Sequence, residues 1–146
     1  MNLSQKCQYA LRSLFELARR QGEGPVSVAE IAKAQAIPPR FLELILGELR
    51  HAGYVESRRG VQGGYMLAVS ARQVSVGDVI RFVDGPLAPV KCLGEQGDKT
   101  CLLLGRCAFM GLWERAMQAA SEVYDLTSLQ DLVDQQHSPQ TANYCI

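Results

Sequence analysis

Three cysteines on one stretch of the chain are the residues whose types and spacing predict chemistry most clearly. Cys92, Cys101 and Cys107 are separated by eight and five residues in "CLGEQGDKTCLLLGRC". Zinc sites usually contain cysteines two to four residues apart, and no such pair occurs in the chain. Three thiolates with wider gaps suit a larger group, an iron–sulfur cluster of the 2Fe-2S or 4Fe-4S type. Zinc binding, thiol oxidation and simple burial of Cys101 and Cys107 remain alternatives.

The other two cysteines have weaker signals. Cys7 lies on an apolar helical stripe, which predicts a core residue, and Cys145 lies in the last residues of the chain. The N-terminus lacks the pattern of a signal peptide, and no apolar run approaches the roughly 20 residues that a membrane helix needs. We therefore expect a cytoplasmic protein without a membrane partner, in which the thiols stay mostly reduced.

The charge is divided unevenly along the chain. The net charge is zero, but residues 1–72 carry ten Lys/Arg and six Asp/Glu, whereas residues 73–146 carry five and nine. A basic first half favours a polyanionic partner such as double-stranded DNA.

The first 72 residues predict a winged helix-turn-helix domain. Apolar spacing predicts a helix from Ser4 to Arg20, and Ser27 with Glu30 forms a capping box for a short second helix. A third helix begins at "PPRF" and ends at Gly53, which suits a left-handed cap. The runs "YVESRR" and "GYMLAV" then predict a β-hairpin, with "RRGVQGGY" as its wing.

Residues 73–135 predict a second part made of helices and the cysteine loop. Ser75 begins a short helix, and a long amphipathic helix runs from near Ala108 to Leu126. Thr127 and Gln130 can cap a last helix, and residues 136–146 read as a flexible tail. The fold class is therefore mainly α with a small β-hairpin wing.

Four charged residues are candidates for contacts with DNA. Arg40 and Glu43 lie at the start of the third helix, where a recognition helix contacts base edges. Glu43 is equally well explained by a solvent-facing helix start. Arg58 and Arg59 lie at the neck of the wing, where an arginine can enter a narrow minor groove.

The sequence disfavours an enzyme. It has no phosphate loop and no Ser/His/Asp constellation, and its two histidines lie far apart, so no small-molecule substrate is expected. An electron-transfer protein could use a cluster, but it would not need a basic wing.

The chain resembles the IscR, NsrR and RirA family of bacterial iron–sulfur transcription factors. The similarity runs from Leu3 to about Val133 and rests on "YALRSLFELA", the segment from "IAKAQAIPPRF" to "GGYMLA", "VSVGDVI", and the cysteine loop leading into "LWERA". The resemblance implies a homodimer joined by the long helix, with one winged helix on each DNA half-site. It implies further that Arg40 and Glu43 face the major groove, that Arg59 faces the minor groove, and that the three loop cysteines hold the cluster.

The fourth cluster ligand departs from the family pattern. Some members have a histidine three residues after the third cysteine, where this chain has Met110. Others use an acidic residue of the first helix from the second subunit, where this chain has Gln8. Gln8, Met110, Cys7 or an exogenous ligand would complete the site. The resemblance implies a regulator that senses iron, redox state or nitric oxide, and the alternative is a winged-helix repressor that uses thiol oxidation or zinc.

Overall fold

The computed structural model describes residues 2–94 and 97–138. Within them the chain forms helices and one antiparallel hairpin, in the order α1 (Gln5–Arg19), α2 (Val28–Gln35), α3 (Pro39–His51), β1 (Val55–Arg58), β2 (Gly64–Leu67), a 3₁₀ turn (Ala71–Gln73), α4 (Val76–Asp84), α5 (Met110–Asp125) and α6 (Leu129–Gln136). The predicted fold class is confirmed.

Helix α1 lies at the centre of the fold. Ser4 caps it by accepting a hydrogen bond from the Cys7 backbone N–H at 3.0 Å. Its apolar stripe is buried and includes Ala10, Leu14 and Leu17, because residues three and four apart share one helix face. Cys7 is fully buried on the same helix, which confirms its prediction as a core residue.

Helices α2 and α3 form the helix-turn-helix. The predicted capping box is present: the Ser27 hydroxyl accepts from the Glu30 N–H, and the Glu30 carboxylate accepts from the Ser27 N–H at 3.1 Å. The bonds that the Ser27 N–H and hydroxyl donate to the Glu30 carboxylate lower the pKa of Glu30 below its usual value. Gly53 has a φ of 86° and donates to Arg50 O, while Tyr54 donates to Leu49 O, which is the predicted left-handed helix end.

The wing is held against the segment that precedes α2. Val55 pairs with Leu67 and Arg58 with Gly64 in an antiparallel register. Tyr65 and Val26 exchange two backbone hydrogen bonds of 2.8 Å. The base of the hairpin is therefore fixed to the helix-turn-helix, and only its tip projects.

Helices α4 and α6 pack against α1 and complete the core. Ser75 caps α4, as predicted, by accepting from the Asp78 N–H at 3.0 Å. Leu129 and Val133 of α6 are buried in the same apolar cluster as the α1 stripe. The division of the chain at residues 72 and 135 stays a prediction.

The prediction that Thr127 and Gln130 cap α6 is wrong by one residue. Ser128 is the cap, and it exchanges hydrogen bonds with Asp131 in a capping box. The reason is that Thr127, two residues after α5, is bonded back to that helix: its hydroxyl donates to Val123 O at 2.7 Å. Ser128 has an extended backbone because it bridges to Ser75.

The described helices include none that is long and apolar enough to cross a membrane. The predicted tail, residues 136–146, is described only as far as residue 138, so Cys145 lies outside the described residues.

Candidate nucleic-acid interface and cysteine loop

The start of α3 is open to a ligand. Pro38 precedes the helix and Pro39 is its first residue, no side chain caps this end, and the first turn has no acidic residue. The turn before it contains Ala36 in the left-handed conformation, with φ 50° and ψ 49°. Pro38 and Pro39 have no N–H, and the N–H groups of Phe41 and Leu42 donate to Pro38 O. This end therefore offers an anion such as a phosphate the Arg40 N–H and the helix dipole.

Arg40 and Glu43 are both exposed near this helix start. In the ranges 2–94 and 97–138 neither side chain has a hydrogen bond or an ion pair. Leu42, Ile45, Leu46 and Leu49 on the opposite side of α3 are buried, so the helix is fixed in the core by that side. The structure thus leaves both predicted side chains free to meet base edges, and Arg40 free to meet phosphates as well.

Gly47 shares a helix face with these two residues, and the sequence reasoning missed it. Residues three, four and seven apart lie on one side of a helix, which aligns Arg40, Glu43 and Gly47. A Cβ placed on Gly47 would meet no atom within 4 Å, so the protein itself does not require a glycine. Glycine weakens a helix interior by roughly 0.5–1 kcal/mol relative to alanine. The available signal was this unexplained glycine inside a predicted recognition helix.

The wing presents Arg58 and Arg59 at its neck. Both are exposed, and within the described part of the chain neither side chain has a hydrogen bond or an ion pair. Gly63 donates to Gly60 O at 3.0 Å and closes the turn, and a Cβ on Gly63 would collide with the Arg58 carbonyl. The glycine spacing therefore brings the backbone of the tip close to the two arginines.

Val61 at the tip of the wing is a second residue that sequence reasoning missed. Its side chain is fully exposed, although apolar, and it lies between the arginines and Gly63. Its position between glycines in "RRGVQGG" was the available signal. An apolar side chain at this point could make an apolar contact in the groove if the arginines enter one.

The cysteine loop follows α4 and leads into α5. Its described residues contain turns but no regular helix or strand between Gly85 and Phe109. Leu87 and Leu93 are buried and anchor its first half. Asp98 donates its backbone N–H to Lys91 O at 2.8 Å. The Asp98 carboxylate accepts two bonds from Thr100, which lower its pKa.

The three loop cysteines lie at different depths. Cys92 and Cys107 are half-buried, Cys101 is exposed, and none of the four described cysteines forms a disulfide. Leu104 donates to Cys101 O at 3.0 Å, and Met110, the first residue of α5, donates to Cys107 O at 3.3 Å. Cys107 is therefore joined directly to the start of the long helix.

The described residues do not gather the predicted ligands into one site. Within 2–94 and 97–138 no three His, Cys, Asp or Glu side chains are close enough together to hold a metal ion. The donor set still fits a cluster by its chemistry, since three free thiols lie on one irregular loop outside the core. To hold one cluster, the three thiols would have to lie closer together than they do in this structure.

The candidates for the fourth ligand are placed differently. Met110 is half-buried three residues after Cys107, whereas the Gln8 side chain donates to Leu3 O at 3.2 Å. Burial and the carboxylate of Asp84 raise the pKa of Cys7 to about 11. A thiolate is the ligand form, so the environment of Cys7 disfavours it as a ligand.

Comparison with known proteins is consistent across sequence and structure. Residues 3–135 match the profile of a family described as "Rrf2: Iron-dependent Transcriptional regulator". The chain is 37% identical over 142 residues to the HTH-type transcriptional regulator CymR of Bacillus subtilis, which covers 97% of this chain and 96% of CymR.

Two solved structures share the fold. The structure of CymR, the global cysteine regulator of B. subtilis, has a TM-score of 0.79 at 36% identity and covers 92% of this chain and 98% of its own. The structure of T. potens IscR has a TM-score of 0.78 at 34% identity and covers 97% of this chain and 93% of its own. These relatives are transcriptional regulators, which confirms the expectation that the chain is not an enzyme.

Proposed function

The chain belongs to the Rrf2 family of transcriptional regulators, and from that premise we propose that it is a cytoplasmic homodimer that binds an operator and senses a signal through its cysteine loop. The sensed state is that of an iron–sulfur cluster, and the signal is iron, redox state or nitric oxide. DNA binding and sensing rest on different parts of the chain.

The observation that carries the DNA-binding proposal is a set of unpartnered charges on fixed elements. Arg40 and Glu43 project from a helix whose other side is buried, and Arg58 and Arg59 project from a hairpin tied to Val26. Arginines without an ion-pair partner in the described structure are available to phosphates and to base edges. Glu43 adds no attraction for DNA, so its role is to select bases.

The dimer proposal rests on α5. None of its sixteen residues, all of which the structure describes, is buried in the single chain. Its exposed side chains nevertheless include Leu112 and Val123, and Leu126 follows directly after the helix. An amphipathic helix with no fully buried residue in its own chain can bury its exposed apolar side against a second copy.

The sensing proposal rests on the loop that connects α4 to α5. Cys92, Cys101 and Cys107 would hold the cluster, whose oxidation or loss changes the charge and the cross-links on this loop. The Cys107 carbonyl accepts the first backbone bond of α5, so closing or opening the loop acts on the start of the dimer helix. This change would shift the relative placement of the two recognition helices.

A second candidate function is a repressor that responds through its thiols without a cluster. Cys101 is exposed and the described residues form no three-donor metal site, both of which favour direct thiol oxidation. A matched relative is described as a global cysteine regulator, which suggests cysteine supply as a signal for this alternative. Zinc binding by the same cysteines is its other form.

The iron, sulfide and zinc content of anaerobically purified protein distinguishes these two functions. The cluster proposal predicts coloured protein with stoichiometric iron and sulfide, and serine at Cys92, Cys101 or Cys107 removes most of both. Cys145→Ser is the matched control and keeps the colour. Colourless protein that contains zinc, or no metal at all, supports the second candidate and contradicts the first.

A further inference from the structure

Helix α5 is joined to the core through an ion pair at its C-terminal end. Asp125, the last residue of α5, accepts hydrogen bonds from both terminal guanidinium nitrogens of Arg81, with an Nη1 to Oδ1 distance of 2.7 Å. Arg81 belongs to α4, whose residues Val79 and Ile80 are buried in the core. The pair therefore joins α5, none of whose residues is fully buried, to a helix that is held in the core. Tyr124 of α5 supports the same junction, since it packs against the cluster of Val76, Ile80 and Leu87.

Gly77 leaves the space in which this pair lies. A Cβ on Gly77 would collide with the Asp125 carboxylate and would lie 2.8 Å from Arg81 Nη1. Gly77 is buried within α4, where alanine would be the better helix former. Position 77 requires a glycine because there is no space for a Cβ, and not because the backbone has an unusual conformation. The glycine is thus explained by the close approach of the pair.

The position of Asp125 supports a role outside its own helix. A carboxylate at the C-terminal end of a helix interacts unfavourably with the helix dipole, so it does not stabilise α5 by itself. The segments beside the pair are joined by backbone hydrogen bonds, from Val76 N to Thr127 O at 2.9 Å and from Leu129 N to Val74 O at 3.0 Å. These backbone bonds fix where α5 ends. The ion pair and the packing of Tyr124 are the side-chain contacts at its base, where they can constrain the angle at which α5 leaves.

We propose that the junction of Gly77, Arg81 and Asp125 sets the spacing between the two DNA half-sites that the dimer accepts. The inference rests on the proposed function, because it requires a dimer joined through α5. Helix α5 is about 22 Å long, so a change of about 10° at its base moves its far end by about 4 Å. This displacement is similar to the roughly 3.4 Å rise of one base pair. A small change of angle therefore changes which spacing fits both recognition helices.

The test compares spacing preference in two variants of different chemistry. Gly77→Ala keeps both charges and displaces the Asp125 carboxylate, whereas Asp125→Asn keeps the space and removes one charge. The ion pair is largely exposed, with 40% of each side chain accessible, so both variants should stay folded. Asp134→Asn on α6 is the control, since within the described chain this exposed carboxylate accepts only from Gln130.

An operator is first selected from random DNA with the wild-type full-length protein, and its spacer is then shortened or lengthened by one base pair. The wild type and the Asp134→Asn control should bind the altered spacers about tenfold less tightly, the cost of a misplaced contact. Gly77→Ala and Asp125→Asn should lose most of this discrimination or prefer a different spacer, with the same half-site sequence.

Two results overturn the inference alone: both variants keep the wild-type preference, or both lose affinity equally for every spacer. Analytical ultracentrifugation of the same samples should show dimers for all four proteins. A wild-type protein that selects no DNA sequence overturns the proposed function and this inference together, so the two failures are distinct.

Discussion

At the scale of single residues, Arg59 should contribute affinity for DNA without contributing stability. It is exposed and has no partner in the described chain, so Arg59→Ala removes a contact to DNA and almost nothing from the fold. We expect a clear loss of operator affinity in a gel-shift titration with an unchanged melting temperature. Arg72→Ala, at an exposed arginine outside the wing, is the control and should bind as the wild type does. Equal affinities for all three proteins would exclude Arg59 as a DNA contact.

Glu43 should contribute selectivity rather than affinity. Its carboxylate can accept from a cytosine amino group but repels phosphates, so its removal should relax the choice of base. Glu43→Ala is expected to select a broader set of sequences from random DNA than the wild type, at similar or higher overall affinity. Identical consensus sequences for the two proteins would rule out this role.

The surroundings of the cysteines predict their order of reaction. Burial and Asp84 raise the pKa of Cys7 to about 11, whereas Cys101 is exposed. Because the thiolate is the reactive form, iodoacetamide should alkylate Cys101 of the metal-free protein first and Cys7 last at neutral pH. Raising the pH toward 11 should narrow the difference as Cys7 ionises. Peptide mass spectrometry over time measures this order, and early labelling of Cys7 would contradict its place in the core.

At the scale of elements, the turn of the wing requires a glycine at position 63 because of contacts within the chain. A Cβ on Gly63 would collide with the Arg58 carbonyl, so Gly63→Ala must distort the turn that carries both arginines. We expect weaker operator binding with little change in stability, since the wing tip is exposed. Gly47→Ala is the contrasting variant: it meets no atom within 4 Å and should raise the free energy of unfolding. If Gly63→Ala bound DNA as tightly as the wild type, the geometry of the wing turn would not be needed for recognition.

Local signals predicted the elements well because each acts over a few residues. The Ser27 and Glu30 capping box, the Ser75 cap and the left-handed Gly53 were all confirmed. The cap of α6 was misplaced by one residue because Thr127 and Ser128 both resemble caps. The bond from Thr127 back to Val123 and the bridge from Ser128 to Ser75 decide between them.

Contacts between distant residues could not be predicted in the same way. Arg81 and Asp125 are 44 residues apart, and nothing near either residue indicates its partner. The conformation of the cysteine loop was equally hidden, because turns that are joined by a few backbone bonds leave no periodic pattern. The spacing of the cysteines predicted a cluster site. The described loop does not bring three ligand side chains close enough together to hold a metal ion.

At the scale of the whole molecule, the dimer should depend on the apolar side of α5. A charge on that side must be desolvated in the interface, so Val123→Lys should give monomers while each chain stays folded. Gln118→Lys places the same charge on a polar side of the helix, next to Glu122, and should remain dimeric. Sedimentation velocity distinguishes the two species. If Val123→Lys remained dimeric, the dimer interface would not include this part of α5.

The central claim is that the state of the cysteine loop controls DNA binding, and one measurement tests it directly. Operator affinity is measured anaerobically for the wild type before and after reconstitution with iron and sulfide, and for Cys101→Ser treated identically. The account predicts different affinities for the two wild-type states and a single affinity for Cys101→Ser. If the wild-type protein bound the operator equally tightly with and without the cluster, this result would contradict the claim.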